Sequence, residues 1–212
     1  MQSISKQTLN RLPAYLRYLR ESQKKDIENV SSTTMAENFG FNPVQVRKDL
    51  AAVSIDGGKP KTGFNIDTLI KDIEAFLGYN NANEAILVGV GRLGNALLGY
   101  NGFDNYGLNI VASFDAKSDI MSVDSRGKPI YNVNKMPEMV KRMGIKMGII
   151  TVPISSAQQV CDLMVSSGIR AIWNFSPIHL KVPNNIAIKN EDMAASLAVL
   201  SNELQQILFE EE

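Results

Sequence analysis

The chain has almost none of the side chains on which disulfide, zinc and histidine chemistry depend. Its 212 residues include one cysteine, Cys161, and one histidine, His179. A single cysteine excludes an intramolecular disulfide and a multi-cysteine zinc site, so we expect no bound metal. No run approaches the roughly 20 apolar residues of a membrane span, and the first ten residues lack the apolar core of a signal peptide. These absences predict a cytoplasmic protein without a membrane partner.

The zero net charge hides an uneven distribution. Residues 1–63 contain ten Lys and Arg against six Asp and Glu, whereas residues 64–212 contain twelve against sixteen. A basic segment on a neutral chain suggests a polyanionic partner for that segment. The apolar fraction of 44% and the charged fraction of 21% are those of a folded globular protein.

The basic segment has the pattern of a helix-turn-helix. Apolar residues at helical spacing predict a first helix over 5–20. Ser31–Ser32 offers an N-cap for a short second helix, and Thr34 with Glu37 suggests a capping box. Gly40 would end this helix in the left-handed conformation that glycine tolerates.

A third helix is predicted to start at Asn42 as N-cap and Pro43 as first residue. Its inward face would carry Val46, Leu50 and Val53. In a helix-turn-helix the second helix of the motif enters the major groove, where Gln reads adenine and Lys or Arg binds guanine or phosphate. The outward residues, which we predict to contact DNA, are Val44, Gln45, Arg47 and Lys48.

The segment after this helix is predicted to form a β-hairpin wing. Ile55 and Phe64 would flank its basic tip, and glycines mark the turns. Lys59 and Lys61 at the tip would reach the DNA backbone or the minor groove. A further helix is predicted over 66–77.

From residue 85 onward, short apolar strands alternate with helices, which predicts an α/β domain with a parallel sheet covered on both faces. Strands are predicted at 85–88, 108–114, 146–152, 169–173 and 186–188, helices at 92–99, 135–143 and 155–167, and a closing apolar helix at 192–209. The predicted domains are a winged helix over 1–79, a Rossmann domain over 80–190 and a dimerisation helix over 191–212.

A glycine-rich loop at the end of the first of these strands matches G-x-G-x-x-G. It consists of Gly89, Val90, Gly91, Arg92, Leu93 and Gly94. Because it follows a strand and precedes a helix, it predicts a dinucleotide pyrophosphate site. Asp115 ends the next strand, where a carboxylate would accept a hydrogen bond from the ribose 2′-OH of NAD. Lys117 nearby would weaken this preference over NADP.

Candidate catalytic groups are few. Tyr131 and Lys135 have the Y-x-x-x-K spacing of short-chain dehydrogenases, but Tyr131 is predicted to end a strand and not to share a helix with the lysine. His179 lies in an apparent loop, and Cys161 lies in an apolar helical pattern typical of a core thiol. A cofactor site without a chemical apparatus suggests that the dinucleotide is sensed and not consumed.

Across nearly its whole length the chain resembles the Rex family of redox-sensing transcriptional repressors. The matching stretches are 11–19 (RLPAYLRYL), 30–50 (VSSTTMAENFGFNPVQVRKDL), the GVGRLG loop, 113–115 (SFD), 151–153 (TVP) and 168–177 (GIRAIWNFSP). The resemblance implies a winged-helix domain joined to a Rossmann domain, in a homodimer with a swapped C-terminal helix. It also implies that NADH releases a two-fold symmetric DNA operator, whereas NAD⁺ permits its binding.

The resemblance also implies roles for particular residues. Arg17 would pair with Asp192 of the other subunit in one state, and Tyr100 would take over that aspartate in the other. The further residues that would line the cofactor cleft are Thr151, Val152, Pro153, Asn174, Phe175, Ser176 and Pro177.

The sequence departs from the family in two places. Family members follow the third helix with Tyr-Phe-Gly, where this chain has Ala52-Val53-Ser54, and Met193 stands where some members have a phenylalanine. Two other hypotheses therefore stay open beside the repressor. One is an NAD-dependent oxidoreductase with a helical accessory domain, and the other is a regulator that responds to coenzyme A or another nucleotide.

Overall fold

A computed structural model describes residues 4–79, 83–117 and 122–210. The chain divides into two compact units, Met1–Asn81 and Ala82–Glu212. Each unit has its own hydrophobic core. The three-part division at residues 79 and 190 stays a prediction.

The first unit is helical with a small antiparallel sheet. Its elements are α1 (Lys6–Gln23), β1 (Asn29–Val30), α2 (Ser32–Phe39), α3 (Pro43–Val53), β2 (Phe64–Asn65) and α4 (Ile66–Leu77). The core is formed by the inward faces of the four helices, with Leu12, Leu16, Met35, Val46, Leu50, Leu69 and Ile73 among its fully buried residues. This is the predicted helix-turn-helix with flanking helices.

The turn between α2 and α3 follows from local capping. Gly40 has φ +65° and ends α2, and the Asn42 side chain accepts the N–H of Val44 at 2.9 Å. Both predictions are confirmed. The capping box of Thr34 with Glu37 is wrong, because α2 starts earlier: Ser31 is the N-cap and accepts the N–H of Thr34 at 3.0 Å.

The wing differs from the predicted hairpin. Its tip is present, since Lys59 and Gly63 exchange two backbone hydrogen bonds of 2.8 and 2.9 Å. Ile55, which was predicted to flank the tip of the hairpin, does not lie in a strand. It is 83% exposed, and its N–H donates to the side chain of Asp72 on α4 at 2.8 Å. Phe64, the other predicted flank, pairs with Val30 of β1.

A buried carboxylate joins α1 to α3. Asp49, on the inward side of α3, forms an ion pair of 2.7 Å with Arg11 of α1, and its side chain is 1% exposed. It also accepts hydrogen bonds of 3.0 Å from Thr8 and Tyr15 of α1 and from Gln45 of α3. Burial by itself raises the pKa of Asp49, but these hydrogen bonds, led by that of Arg11, outweigh it and hold the pKa below its ordinary value.

The depressed pKa of Asp49 predicts a loss of stability in acid. A carboxyl whose pKa is lower in the folded than in the unfolded state stabilises the fold above its unfolded pKa of about 4, and this contribution is lost as pH falls through the folded pKa. We expect the free energy of unfolding of the first unit to decrease as the pH is lowered below about 5. This decrease should be steeper in the wild type than in Asp49→Asn. Denaturant unfolding at several pH values measures this, and equal slopes would contradict it.

The second unit contains a six-stranded parallel sheet. Its strands are β3 (Asn83–Val88), β4 (Leu108–Asp115), β5 (Ile130–Asn132), β6 (Met147–Ile150), β7 (Ala171–Asn174) and β8 (Ala187–Asn190), in the spatial order β5-β4-β3-β6-β7-β8. All five neighbouring pairs are parallel. This is the doubly wound order of the Rossmann fold. The direction of winding reverses between β3 and β6, the first and fourth strands of this unit along the chain.

Helices cover both faces of this sheet. They are α5 (Arg92–Leu98), α6 (Met136–Met143) and α7 (Ile154–Ser167), with 3₁₀ turns at Asn101–Tyr106 and Val133–Lys135. A further helix, α8 (Met193–Glu210), follows β8. Residues of α6 and α7 pack on one face of the sheet, while Leu98 of α5 packs on the other. Cys161 of α7 lies in the core, and burial raises the pKa of its thiol to about 11. It is therefore the unreactive core thiol that the sequence predicted.

The last helix has no buried residue. Along α8 large apolar side chains are exposed, among them Leu197, Leu200, Leu204, Ile207 and Leu208. Within the described ranges, no helix is both long enough and apolar enough to cross a membrane.

Candidate functional site

A cleft lies where the strand order of the sheet reverses. β3 and β6 are neighbours there, and the loops that follow them at Gly89 and Thr151 form the two walls. The cleft has a volume of about 780 Å³, within the range of roughly 300–1,000 Å³ that is typical of small-molecule sites. Ligands of open α/β sheets bind at this point of the fold.

The three glycines of the loop have different reasons to be glycine. Gly89 has φ +104°, and a Cβ there would lie 2.8 Å from the backbone carbonyl of Thr151. A Cβ at Gly94 would collide with the carbonyl oxygen of Gly89. At Gly91 nothing lies within 4 Å of such a Cβ. The chain itself therefore requires the first and third glycines, whereas the second faces open space in the cleft.

Asp115 and Thr151 hold the loop in place. The half-buried carboxylate of Asp115 accepts the N–H of Val90 and that of Lys117, each at 2.9 Å. The Thr151 hydroxyl donates to the carbonyl of Gly89 at 2.7 Å. Asp115 thus lies at the cleft, at the end of β4 beside the glycine loop, where the sequence placed it.

Of the other residues predicted to bind the cofactor, some line the cleft and some lie outside its lining. Val152 and Pro153 line it together with the loop. Arg92 and Leu93 are exposed on the first turn of α5, outside the lining. Residues that line the cleft and that were not predicted as site residues are Val88, Ala116, Ser122, Ile130, Val133, Ser156 and Val160. No sequence pattern marks the two serines.

The last residue of β7 and the segment that follows it are linked to the cleft wall by a hydrogen bond to Val152. The amide of Asn174 is fully buried and donates to the carbonyls of Ser176 and Ile178 and to Asn190. The Ser176 hydroxyl donates to the carbonyl of Val152 at 2.6 Å. Phe175 packs against Trp173, with ring centroids 4.7 Å apart. Pro177 is exposed. These four predicted residues lie outside the lining of the cleft.

The dehydrogenase pair is not arranged for catalysis. Tyr131 lies in β5 and Lys135 in the 3₁₀ turn that follows, so the two do not share a helix. His179 is exposed after β7. Among the described residues, no group of three metal-ligating side chains is close enough to hold a metal ion.

The residues of the predicted switch lie in both units. Arg17 is exposed on α1 in the first unit. In the second, Tyr100 is 55% exposed and packs edge-on against Phe103 at 4.9 Å. Asp192 is exposed and accepts the N–H of Ala195 at 2.9 Å, so it caps the first turn of α8.

A basic groove of about 610 Å³ lies between α3 and the wing in the first unit. It brings together four predicted DNA contacts, Arg47, Lys48, Lys59 and Lys61. In the part of the chain that the structure describes, no carboxylate forms an ion pair with any of them. Ser31 and Ser32 at the start of α2 line the same groove and were not predicted.

The remaining two predicted contacts lie outside this groove. Val44, which is 50% exposed, and Gln45 lie on the first turn of α3. This is the end of the helix that approaches base edges in helix-turn-helix proteins. A helix-turn-helix with a basic groove, in one chain with a Rossmann cleft, is the arrangement of ligand-responsive DNA-binding regulators.

Comparisons with known proteins identify the family. A family model described as "Putative DNA-binding protein N-terminus" matches residues 3–51, and one described as "CoA binding domain" matches residues 80–178. The redox-sensing transcriptional repressor Rex of Porphyromonas gingivalis is 39% identical over 94% of this chain and 91% of its own length. That of Clostridium botulinum is 36% identical over 96% and 97%. The chain therefore belongs to the Rex family of redox-sensing transcriptional repressors.

Solved structures agree with this assignment. A Rex-family repressor called RSP, in complex with β-NAD⁺ and operator DNA, has a TM-score of 0.89 and 32% identity over 100% of this chain and 97% of that one. RSP in complex with β-NADH has a TM-score of 0.86 at the same identity. The predicted family and the predicted fold, a winged helix-turn-helix unit with a Rossmann unit, are confirmed. The curated relatives are named as repressors, which favours this function over the oxidoreductase.

Proposed function

We propose that this protein is a transcriptional repressor that binds a two-fold symmetric double-stranded DNA operator and releases it when NADH binds. The observation that carries the proposal is the cleft at the reversal of strand order, where Gly91 leaves open space beside a carboxylate. The four cations of the basic groove, none of which has an ion-pair partner among the described residues, would supply the contacts to phosphate.

The nucleotide would lie across the glycine loop. Backbone near Gly91 would approach its pyrophosphate, and Asp115 would accept a hydrogen bond from the adenosine ribose, which favours NAD over NADP. Thr151, Val152 and Pro153 would form the opposite wall. The buried contacts of Asn174 and Ser176 suggest that these two residues position that wall and do not touch the ligand.

The exposed apolar side of α8 would be covered by a second copy of the chain. Isolated exposed leucines are ordinary, but a whole helix of them marks an interface. In such a homodimer Arg17 of one subunit would pair with Asp192 of the other subunit in one state, and Tyr100 would take over that aspartate in the other state. One carboxylate with two alternative partners is a bistable element that a ligand can bias. Such a repressor would act on DNA in the cytoplasm.

A parallel titration with NADH, NAD⁺ and coenzyme A tests the ligand. Trp173 is the only tryptophan and lies on β7 in the Rossmann unit, so NADH should quench its emission by energy transfer. Calorimetry measures NAD⁺ and coenzyme A, which are not energy acceptors. Coenzyme A is the second candidate, because the family model that matches the Rossmann unit is described as a CoA binding domain. Binding of coenzyme A alone would overturn the redox proposal.

Replacing Gly91 by valine should weaken ligand binding and leave the stability of the fold nearly unchanged. The side chain would project into space that only the ligand needs, so the melting temperature should stay close to that of the wild type. We expect NADH to bind about tenfold more weakly or worse, since forced overpacking costs about 1–3 kcal/mol. Gly94→Ala is the control, because its Cβ collides with the chain itself and should lower the melting temperature. Unchanged NADH affinity in Gly91→Val would place the ligand elsewhere.

A further inference from the structure

The buried carboxylate of Asp49 makes a contact that bears on how α3 reads DNA. Besides Arg11, Thr8 and Tyr15 of α1, it binds one exposed side chain, Gln45. The distance from Gln45 Nε2 to Asp49 Oδ1 is 3.0 Å. Gln45 lies on the first turn of α3, one residue from Val44, which is 50% exposed. The buried network therefore ends on a side chain that is placed to meet a base edge.

The chemistry of the carboxylate decides which end of the Gln45 amide points inward. An ionised carboxylate only accepts hydrogen bonds, and the depressed pKa of Asp49 keeps it ionised at neutral pH. Arg11 donates two hydrogen bonds to the carboxylate, of 2.7 and 2.9 Å, so the negative charge of Asp49 is paired with the guanidinium. The amide nitrogen must then face Asp49, because the amide oxygen would be repelled. An amide with no such partner would sample both orientations.

With one N–H bound to Asp49, Gln45 has a defined outward pattern. Its carbonyl oxygen remains as an acceptor and its second N–H as a donor. Adenine presents the complementary pair in the major groove, a donor at N6 and an acceptor at N7. Guanine presents two acceptors, O6 and N7, which repel the amide oxygen.

We propose that Asp49 is a positioning residue for sequence readout, which fixes the Gln45 amide so that it selects adenine at one position of each operator half-site. This rests on the proposed DNA-binding function, and it adds a specificity determinant behind the DNA-contacting surface. Asp49 itself does not touch the base. Its carboxylate is buried, and it acts on the readout through Gln45.

The test begins with the wild-type full-length protein and a library of duplexes in which roughly 20 base pairs, the span of two half-sites, are randomised. Binding of a panel of single-base variants of the selected duplex is then compared for the wild type, Gln45→Ala, Asp49→Asn and the double variant. Gln45→Ala marks the position that Gln45 reads, where we expect the wild type to prefer adenine by about fivefold or more. Asp49→Asn should lose the preference at that position and keep it elsewhere, and the double variant should lose no more there.

A merely structural role predicts a different outcome. If Asp49 only stabilises the domain, Asp49→Asn weakens binding to every duplex by the same factor and leaves the preference at the Gln45 position intact, which would overturn the proposal. Tyr15→Phe is the matched control, since it removes one hydrogen bond from Asp49 and leaves Gln45 in place. It should keep the preference. A wild type that selects no sequence would instead contradict the proposed DNA-binding function.

A second measurement covers the case in which Asp49→Asn does not fold. In wild-type protein labelled with ¹⁵N at glutamine side chains, the Gln45 signal is identified by its loss in Gln45→Ala. We expect its amide to be nearly rigid, with an order parameter near 0.8, and that of exposed Gln7 on α1 to fall below about 0.6. Equal mobility of the two amides would overturn the proposal, because an unrestrained amide has no fixed orientation.

Discussion

Alanine at all four cations of the basic groove, Arg47, Lys48, Lys59 and Lys61, should weaken binding of the preferred duplex by about 10³-fold or more at physiological salt. Each of these side chains is without an ion-pair partner among the described residues, so its charge is available to phosphate or guanine. Every phosphate contact that is lost also lowers the salt dependence of binding, by about 0.9 in the slope of log K against log[salt].

Fluorescence anisotropy with a labelled duplex at several salt concentrations measures both effects. The matched control replaces four lysines of the first unit, all exposed and outside the groove: Lys6, Lys24, Lys25 and Lys71. Both variants lose four positive charges, but the control should keep most of the affinity and the salt slope, because its lysines lie outside the groove. Equal losses in the two variants would show that overall charge, and not the groove, binds DNA.

Alanine at Asp49 should lower the free energy of unfolding of the first unit by about 3 kcal/mol. Removing one partner of a buried ion pair costs about 3–5 kcal/mol, and the lower end applies because Arg11 is 20% exposed and regains some water. Thr8 and Tyr15 also lose their acceptor. Since domains are stable by only about 5–15 kcal/mol, this is a large fraction of the total.

Chemical denaturation, followed by far-ultraviolet circular dichroism, measures this loss. Asp67→Ala is the control, because Asp67 lies on the same unit, on α4, with an exposed hydrogen bond to Gln23 of 2.6 Å. It should change the free energy of unfolding by less than about 0.5 kcal/mol. Tyr15→Phe should lower the free energy of unfolding by about 1 kcal/mol, a value between those of the two alanine variants, since it removes one hydrogen bond. If Asp49→Ala were as mild as Asp67→Ala, the buried network would not hold α1 to α3.

The elements with strong periodicity were predictable from the sequence. The helix predicted over 66–77 is α4, with the same bounds, because six large apolar residues follow one face and Asn65 and Gly78 cap its ends. The strands β3, β4, β6 and β7 overlap the strands predicted at 85–88, 108–114, 146–152 and 169–173, since buried parallel strands are largely continuous apolar runs. The glycine loop was predicted from its G-x-G-x-x-G spacing between a strand and a helix, and the structure gives Gly89 and Gly94 steric reasons to be glycine.

Features that depend on contacts between distant residues were not predictable. β1 has two residues, too few for any periodicity, and its pairing with Phe64 joins positions far apart in sequence. The Asp49 network joins residues up to 41 positions apart. One signal did exist: Asp49 lies between Val46 and Leu50 on the inward side of α3, where a carboxylate needs a partner. Likewise, Asn174 was predicted as a cleft residue, and only the fold reveals that its amide is consumed by buried contacts.

The response of DNA binding to the two forms of one nucleotide tests the proposed function most directly. Purified protein is bound to the duplex selected from the randomised library, and NADH or NAD⁺ is added in parallel while anisotropy reports release. We predict that NADH releases the duplex from the wild type at concentrations that leave Gly91→Val bound, and that NAD⁺ at the same concentrations does not release it. Release by both nucleotides alike, or by neither, would contradict the conclusion that this protein reports the NADH/NAD⁺ ratio to DNA.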